Sequence, residues 1–314
     1  MSKSNSFDFN QNRLSLISDA FVQAGILRPE ESPKSNEGNF AARTLNRMLK
    51  AFQADGLHLF AQRNATVFME KDKTQYKLGP SGDNATESFS STAIRIAAAS
   101  TNTAIEVDTT VGMTASDYIG IEIDDGTMHW TTIASVTDSD TVVLTAGVDG
   151  LVSVDNVVYW YTNKIQRPLN IIHSSYHFNG NDTRMYEIAK SEYLNISDKN
   201  TETHPTEYYF DKQLTNAELN VFGEPNNVTG YIKISAQFPF DDMDSATDTL
   251  AFPSEWIECI HLGLSYRLAT AYRPKDPKTI ILKSDSEQAL ERVKGFDEER
   301  SDINIQPSRQ WLRE

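Results

Sequence analysis

The sequence predicts an α+β protein, a helical bundle module built from both chain ends with an inserted β-rich small barrel or sandwich. Three observations carry this. Apolar residues recur at three- and four-residue steps near the N terminus (Leu14, Ile17, Phe21, Ala24) and again late in the chain (Trp256, Ile260, Leu264, Leu268, Ala271), which is the period of a helix face. Between residues 86 and 164 the period shortens to two in runs such as Ile119-Gly120-Ile121-Glu122-Ile123, the alternation of a strand with one buried face. Helices on either side of a β-rich middle imply one module interrupted by an insertion. The expected domains are 1–85, a helical first part with a β-hairpin; 86–164, the inserted acidic β domain; 165–300, mixed β followed by the second helical part; and 301–314, a C-terminal tail.

In chain order, the first helix stops at Gly25 and Pro29, because glycine suits the left-handed cap and proline cannot continue the ladder. The second helix places Ala41, Leu45, Met48, Leu49 and Phe52 on one side and ends at Asp55-Gly56. Ala65 to Lys71 and Thr74 to Gly79 read as two strands of a hairpin around Lys71, Asp72 and Lys73. About six short strands follow in the insert, with Asp125-Gly126 the clearest hairpin turn. Glu207 to Asp211 and Tyr231 to Ser235 are strand-like. Helix returns at Pro253, and a last helix, capped by Asp276 before Pro277, presents Leu282, Ala289, Val293 and Phe296.

Composition narrows the function classes. The formal net charge of -15 disfavours general nucleic-acid binding, which rests on Lys and Arg paired with phosphates. The segment 86–164 holds eleven Asp and Glu against Arg95 and Lys164, a charge block that fits a solvated surface. A single cysteine, Cys259, excludes an intrachain disulfide and a cysteine zinc cage and fits a reducing compartment. No secretory leader and no apolar run of membrane-spanning length stands in the sequence, so the expectation is a chain made in the cytosol with no membrane partner.

Four groups of residues have spacings that could carry chemistry. His173 and His177 stand four apart, a zinc spacing on a helix, but Pro168 and Ile171-Ile172 point to a strand. Asp242, Asp244 and Asp248 alternate like calcium-loop ligands, yet Thr247 and Pro253 occupy the positions that need Gly and Glu. Asp124 and Asp125 read as turn residues. Tyr159 and Tyr161 share one strand face, with Trp160 on the other, and core or interface packing is the expectation over a saccharide platform. No phosphate loop or nucleophile elbow is present. The expectation is a protein without catalytic activity, cofactor or metal.

The order of several segments resembles a known family. Leu45-Asn46-Arg47-Met48-Leu49-Lys50-Ala51-Phe52-Gln53-Ala54-Asp55-Gly56-Leu57 is followed by Ala65 to Glu70 and Tyr76-Lys77-Leu78-Gly79. Then come Arg167-Pro168-Leu169, Met185-Tyr186-Glu187-Ile188, Glu192-Tyr193, Tyr208-Tyr209-Phe210-Asp211 and Phe252-Pro253-Ser254-Glu255-Trp256 before the Leu268-Ala269 helix. This resembles the head-to-tail adaptor (tail accessory, or packaged-DNA-stabilising) proteins of short-tailed bacteriophages, over Ala41 to Gly79 and Lys164 to Tyr272. The acidic insert has no counterpart in that pattern.

The resemblance implies a structural virion protein of the head-to-tail junction, assembled in the host cytoplasm. It implies a self-assembled ring of about twelve copies, docked under the portal protein and meeting tail nozzle or fibre proteins below. DNA only passes through the channel. It also implies that the C-terminal tail docks on the portal, with Ile303, Ile305, Trp311 and Leu312 as anchors; an apolar tail without its own core needs a partner. The acidic insert is expected on the outer rim. The rival expectation is a β-rich binding module that recognises a carbohydrate or partner protein.

Overall fold

The structure is a computed structural model and describes residues 9–54, 61–199, 201–225 and 227–296. The α+β expectation, a helical bundle module carrying a β insert, is overturned: the chain is mostly β. Among the described residues, fourteen strands make an eight-stranded sheet and a closed six-stranded barrel, against five helices. The physical reason lies outside the insert. The strands after residue 165 do not hang on helices but pair across the sequence with the two strands that precede the insert, so the largest layer is a sheet. The chain divides into two compact units, 1–61 with 240–314, and 62–239.

In the first unit, α1 (Arg13–Gln23) starts at Asn12, whose side chain accepts from the Ser15 amide, and is stopped by Gly25 at φ +69°. With α2 (Ser35–Ala54), a 3-10 turn at Ser254–Trp256, α4 (Ile257–Tyr272) and α5 (Pro277–Phe296), it buries Phe21, Leu45, Met48, Trp256, Ile260 and Leu264 in one core. Asp276 accepts from the Lys278 amide at the start of α5. Three residues expected on inner faces, Leu14, Ala271 and Phe296, are exposed instead. Leu14 lies in the first turn of α1, and Phe296 is the final residue of α5, beyond Val293, the last that is buried.

In the second unit, β1 (Gln62–Phe68) lies between β3 (Ala85–Thr86) and β14 (Tyr231–Gln237), in register Val67 to Ile232. β2 (Gln75–Leu78) pairs only with β13 (Ala217–Phe222) at the opposite edge. The expected β1–β2 hairpin is therefore absent: the two strands are neighbours in sequence, yet five strands stand between them in the sheet. Between β14 and β13 run β10 (Asn170–Phe178), β11 (Asn181–Glu187) and β12 (Glu207–Asp211), with the short helix α3 (Lys190–Asn195) between β11 and β12. Leu219, Val221, Ile232 and Ile234 are buried under the sheet.

The barrel is built from β4 (Ser90–Ile96), β5 (Ala104–Val107), β6 (Tyr118–Glu122), β7 (Met128–Val136), β8 (Thr141–Leu144) and β9 (Val157–Tyr161), closed by the pairings of β9 with β4 and β6. Ile94, Val107, Ile119, Ile121, Val142 and Val158 fill it. Register shifts in β4 and β7 mark the bends that let so few strands close.

Candidate functional site

The residues that join the barrel to the sheet form the most distinctive site. Phe68 ends β1 and is 1% exposed, and Val67 and Met69 beside it are fully buried. Consecutive burial in a strand requires cover on both faces: Val67 and Met69 enter the sheet core, and Phe68 points the other way into an aromatic cluster with Tyr159, Tyr161, Phe89, Trp130 and Tyr231. Ring centroids lie 5.0 Å from Phe68 to Trp130, 5.1 Å to Tyr159 and to Phe89, and 5.9 Å to Tyr161. β9 shows the same two-sided burial, with Val158 and Trp160 in the barrel core and Tyr159 and Tyr161 in the cluster.

The phenols are tied down as well as buried. Tyr159 Oη donates to the Thr229 carbonyl at 3.1 Å and Tyr161 Oη to Asn84 Oδ1 at 2.7 Å. Burial pushes Tyr159 up to about 12, and burial with the neighbouring Tyr118 raises Tyr161 further. Gly120 is required here: the Trp130 indole lies over it, and a Cβ would meet ring atoms at 2.7 to 2.8 Å. The aromatic run is thus joint material, and no open platform for a sugar ring is formed by Tyr159, Trp160 and Tyr161. Beside the joint, a cavity of about 430 Å³ is lined by the two connecting segments, including Thr86, Phe89, Asn163 and Lys164.

The remaining sequence candidates resolve into structural roles. His173 and His177 lie on β10, roughly 13 Å apart by strand rise over four residues, so they do not share a ligand position. His177 Nδ1 meets Asp182 at 2.5 Å, and Lys233 Nζ lies 3.0 Å from the same carboxylate. Hydrogen bonds from His177 and then Lys233 hold Asp182 below the usual carboxylate range. Asp242 pairs with Lys50 at 2.9 Å, Asp248 accepts from the Ser245 amide at 2.6 Å, and the Met243 and Asp244 carbonyls accept from Arg13. That loop fastens α1. Asp125 accepts from Thr127 within its own turn, whereas Asp124 accepts from Ser153 and Asn156 and ties that turn to the 153–156 segment. Ile303, Ile305, Trp311 and Leu312 lie outside the described residues.

Among the described residues, no group of three or more His, Cys, Asp or Glu side chains converges as a metal site, and no helix is long and apolar enough to cross a membrane. No family model and no curated protein matches this chain.

A second surface was not foreseen from sequence. Between α2 and α4 runs a groove of about 390 Å³ lined by Phe40, Thr44, Arg47, Met48, Tyr266 and Arg267. A smaller one of about 140 Å³ continues it toward Leu290 of α5 and shares Met48, Tyr266 and Arg267. The helices approach closely at Gly263, where a Cβ would meet Met48 Sδ at 2.9 Å. Burial, with the Arg47 charge adding to it, lowers the pKa of Arg267. Arg47 bonds only to Thr44 Oγ1 and the Arg43 carbonyl on its own helix, and neither arginine has a carboxylate partner among the described residues. The sequence signal was the pair Arg43 and Arg47 on the second helix, one turn apart in an acidic chain.

Proposed function

We propose that the chain is a structural virion protein of the head-to-tail adaptor kind, a ring that docks under the portal and continues the DNA channel toward the tail. The observation that carries this reading concerns the point of insertion. The segments that resemble adaptor proteins are separated by the acidic insert, and the chain enters and leaves that insert side by side: the Ile165 amide donates to the Ala85 carbonyl at 3.0 Å, and Thr86 Oγ1 lies 2.8 Å from the Asn163 carbonyl. Removing the barrel would leave the flanks already adjacent, which supports reading the barrel as a single addition between the resembling segments on either side of it. The burial of Tyr159, Trp160 and Tyr161 weighs against glycan recognition as the rival role.

Mass photometry of the purified chain, alone and mixed with the portal protein of the same source, tests this. A complex of about twelve copies on the portal is expected; a chain that stays monomeric in the mixture would sink the reading. Deleting 301–314 is expected to abolish attachment while the circular dichroism spectrum is retained, and attachment at full strength would remove Ile303, Ile305, Trp311 and Leu312 as anchors.

A further inference from the structure

Two surfaces of the helical unit carry features that the fold itself does not use. One is the α2–α4 groove, where apolar walls (Phe40, Met48, Tyr266) flank two arginines without an anionic partner among the described residues. The other is the outer side of α5. Ile280 is 74% exposed and Ile281 60%, and Asp285, one turn beyond Ile281 on the same side, is exposed with no ion-pair partner among the described residues. Large exposed apolar residues beside a carboxylate match an apolar groove with guanidinium groups; Lys278, also exposed, stands on the other side of Ile281 from Asp285.

We propose that α5 of one copy lies in the α2–α4 groove of the next, with Ile280 and Ile281 against Phe40, Met48 and Tyr266, and Asp285 meeting Arg47 and Arg267. The proposal deepens the ring reading and rests on it. Two arguments favour a second copy as the occupant. First, the complementary features lie on different sides of one unit. Leu290 borders the smaller pocket that continues the groove, and Ile281, nine positions earlier at about 100° per residue, lies on roughly the opposite side of α5. A patch that fits a different patch on an identical molecule makes a head-to-tail contact, which generates rings when its rotation closes. Second, copies of net charge -15 repel one another, so self-association needs a local match of sign, and the groove brings together two arginines that have no carboxylate partner among the described residues.

The test uses the full chain and mass photometry over a concentration series, with and without the portal protein. Arg47→Glu and Ile281→Glu alter exposed positions, so folding is expected to survive and is checked by circular dichroism; Arg267→Glu is the confirming variant at the half-buried site. The wild type is expected to form higher oligomers, and each variant to weaken the contact at least tenfold. The decisive sample is a mixture of two variants. Ile281→Glu keeps its groove and Arg47→Glu keeps its helix face, so together they can make one contact per pair and should stop at dimers. Variants that assemble as the wild type does, on the portal or free, would overturn this interface while leaving the adaptor reading intact. A wild-type chain that never self-associates, with or without the portal, would overturn both.

Discussion

Replacing Phe68 with alanine removes the side chain on which the barrel–sheet joint is centred. Phe68 is 1% exposed and has five aromatic rings with centroids 5.0 to 6.4 Å away. Phe→Ala in a packed core costs about 3–5 kcal/mol, and this cluster cannot collapse freely, because Tyr159 and Tyr161 are held by their hydroxyl bonds to Thr229 and Asn84. A loss of about 4 kcal/mol is therefore expected in the unit 62–239. With a urea dependence of about 2 kcal/mol per molar, the midpoint should fall by about 2 M. Tryptophan emission is a suitable readout, since Trp130 touches Phe68. Phe68→Leu keeps much of the volume and should cost under about 1.5 kcal/mol. If Phe68→Ala shifted stability by less than about 1 kcal/mol, the two-sided burial of β1 would not be holding the joint, and the reasoning would fail.

Gly120→Ala should destabilise the same unit by about 1–3 kcal/mol through overpacking and shift Trp130 emission, because the new methyl meets the indole; an unchanged spectrum and midpoint would refute the close approach. Asp124, Asp125, Asp138, Asp182 and Asp211 are all depressed, chiefly by hydrogen bonds their carboxylates accept. Their stabilisation is present above the ordinary carboxylate pKa of about 4 and is lost as pH falls below it, so melting temperature should rise from pH 2 to pH 5 and level off above; a profile flat below pH 4 would contradict this. Cys259 is 1% exposed, and burial pushes its thiol up to about 11, so thiol reagents at pH 8 should label it only after unfolding. Rapid labelling of the native chain would instead reveal local opening of α4.

Local features were readable from the sequence where the cause was local. The α2 stripe of Ala41, Leu45, Met48, Leu49 and Phe52 is buried as its period requires, and Asp125-Gly126 turns the β6–β7 hairpin with Gly126 at φ +82°. What the sequence hid is pairing at a distance. β1 finds β14 rather than β2, and nothing in Ala65 to Lys71 announces a partner so far along the chain. β11 has no strand signature in sequence because only Met185 of its seven residues is buried, so no alternation shows. The joint did leave a trace. Val67-Phe68-Met69 and Val158-Tyr159-Trp160-Tyr161 are unbroken apolar runs in short strands, and such runs mark cover on both faces. The shift in class from α+β to mostly β follows from the same cause: a large sheet assembled from scattered strands has no single sequence window in which to be seen.

The adjacency of Ala85 and Ile165 has a consequence for how the chain reaches its native state. Among the described residues the barrel strands pair only with one another, so their pairing needs nothing synthesised after residue 161 and can precede β14. Once closed, the barrel holds its two ends together, and the disordered loop that must be spanned before Phe68 meets Tyr231 is cut to about half its length. By the logarithmic scaling of loop entropy that halving is worth about 0.6 kcal/mol. The insert thus acts as a clasp in the folding chain, shortening the search by which β1 finds its late partner.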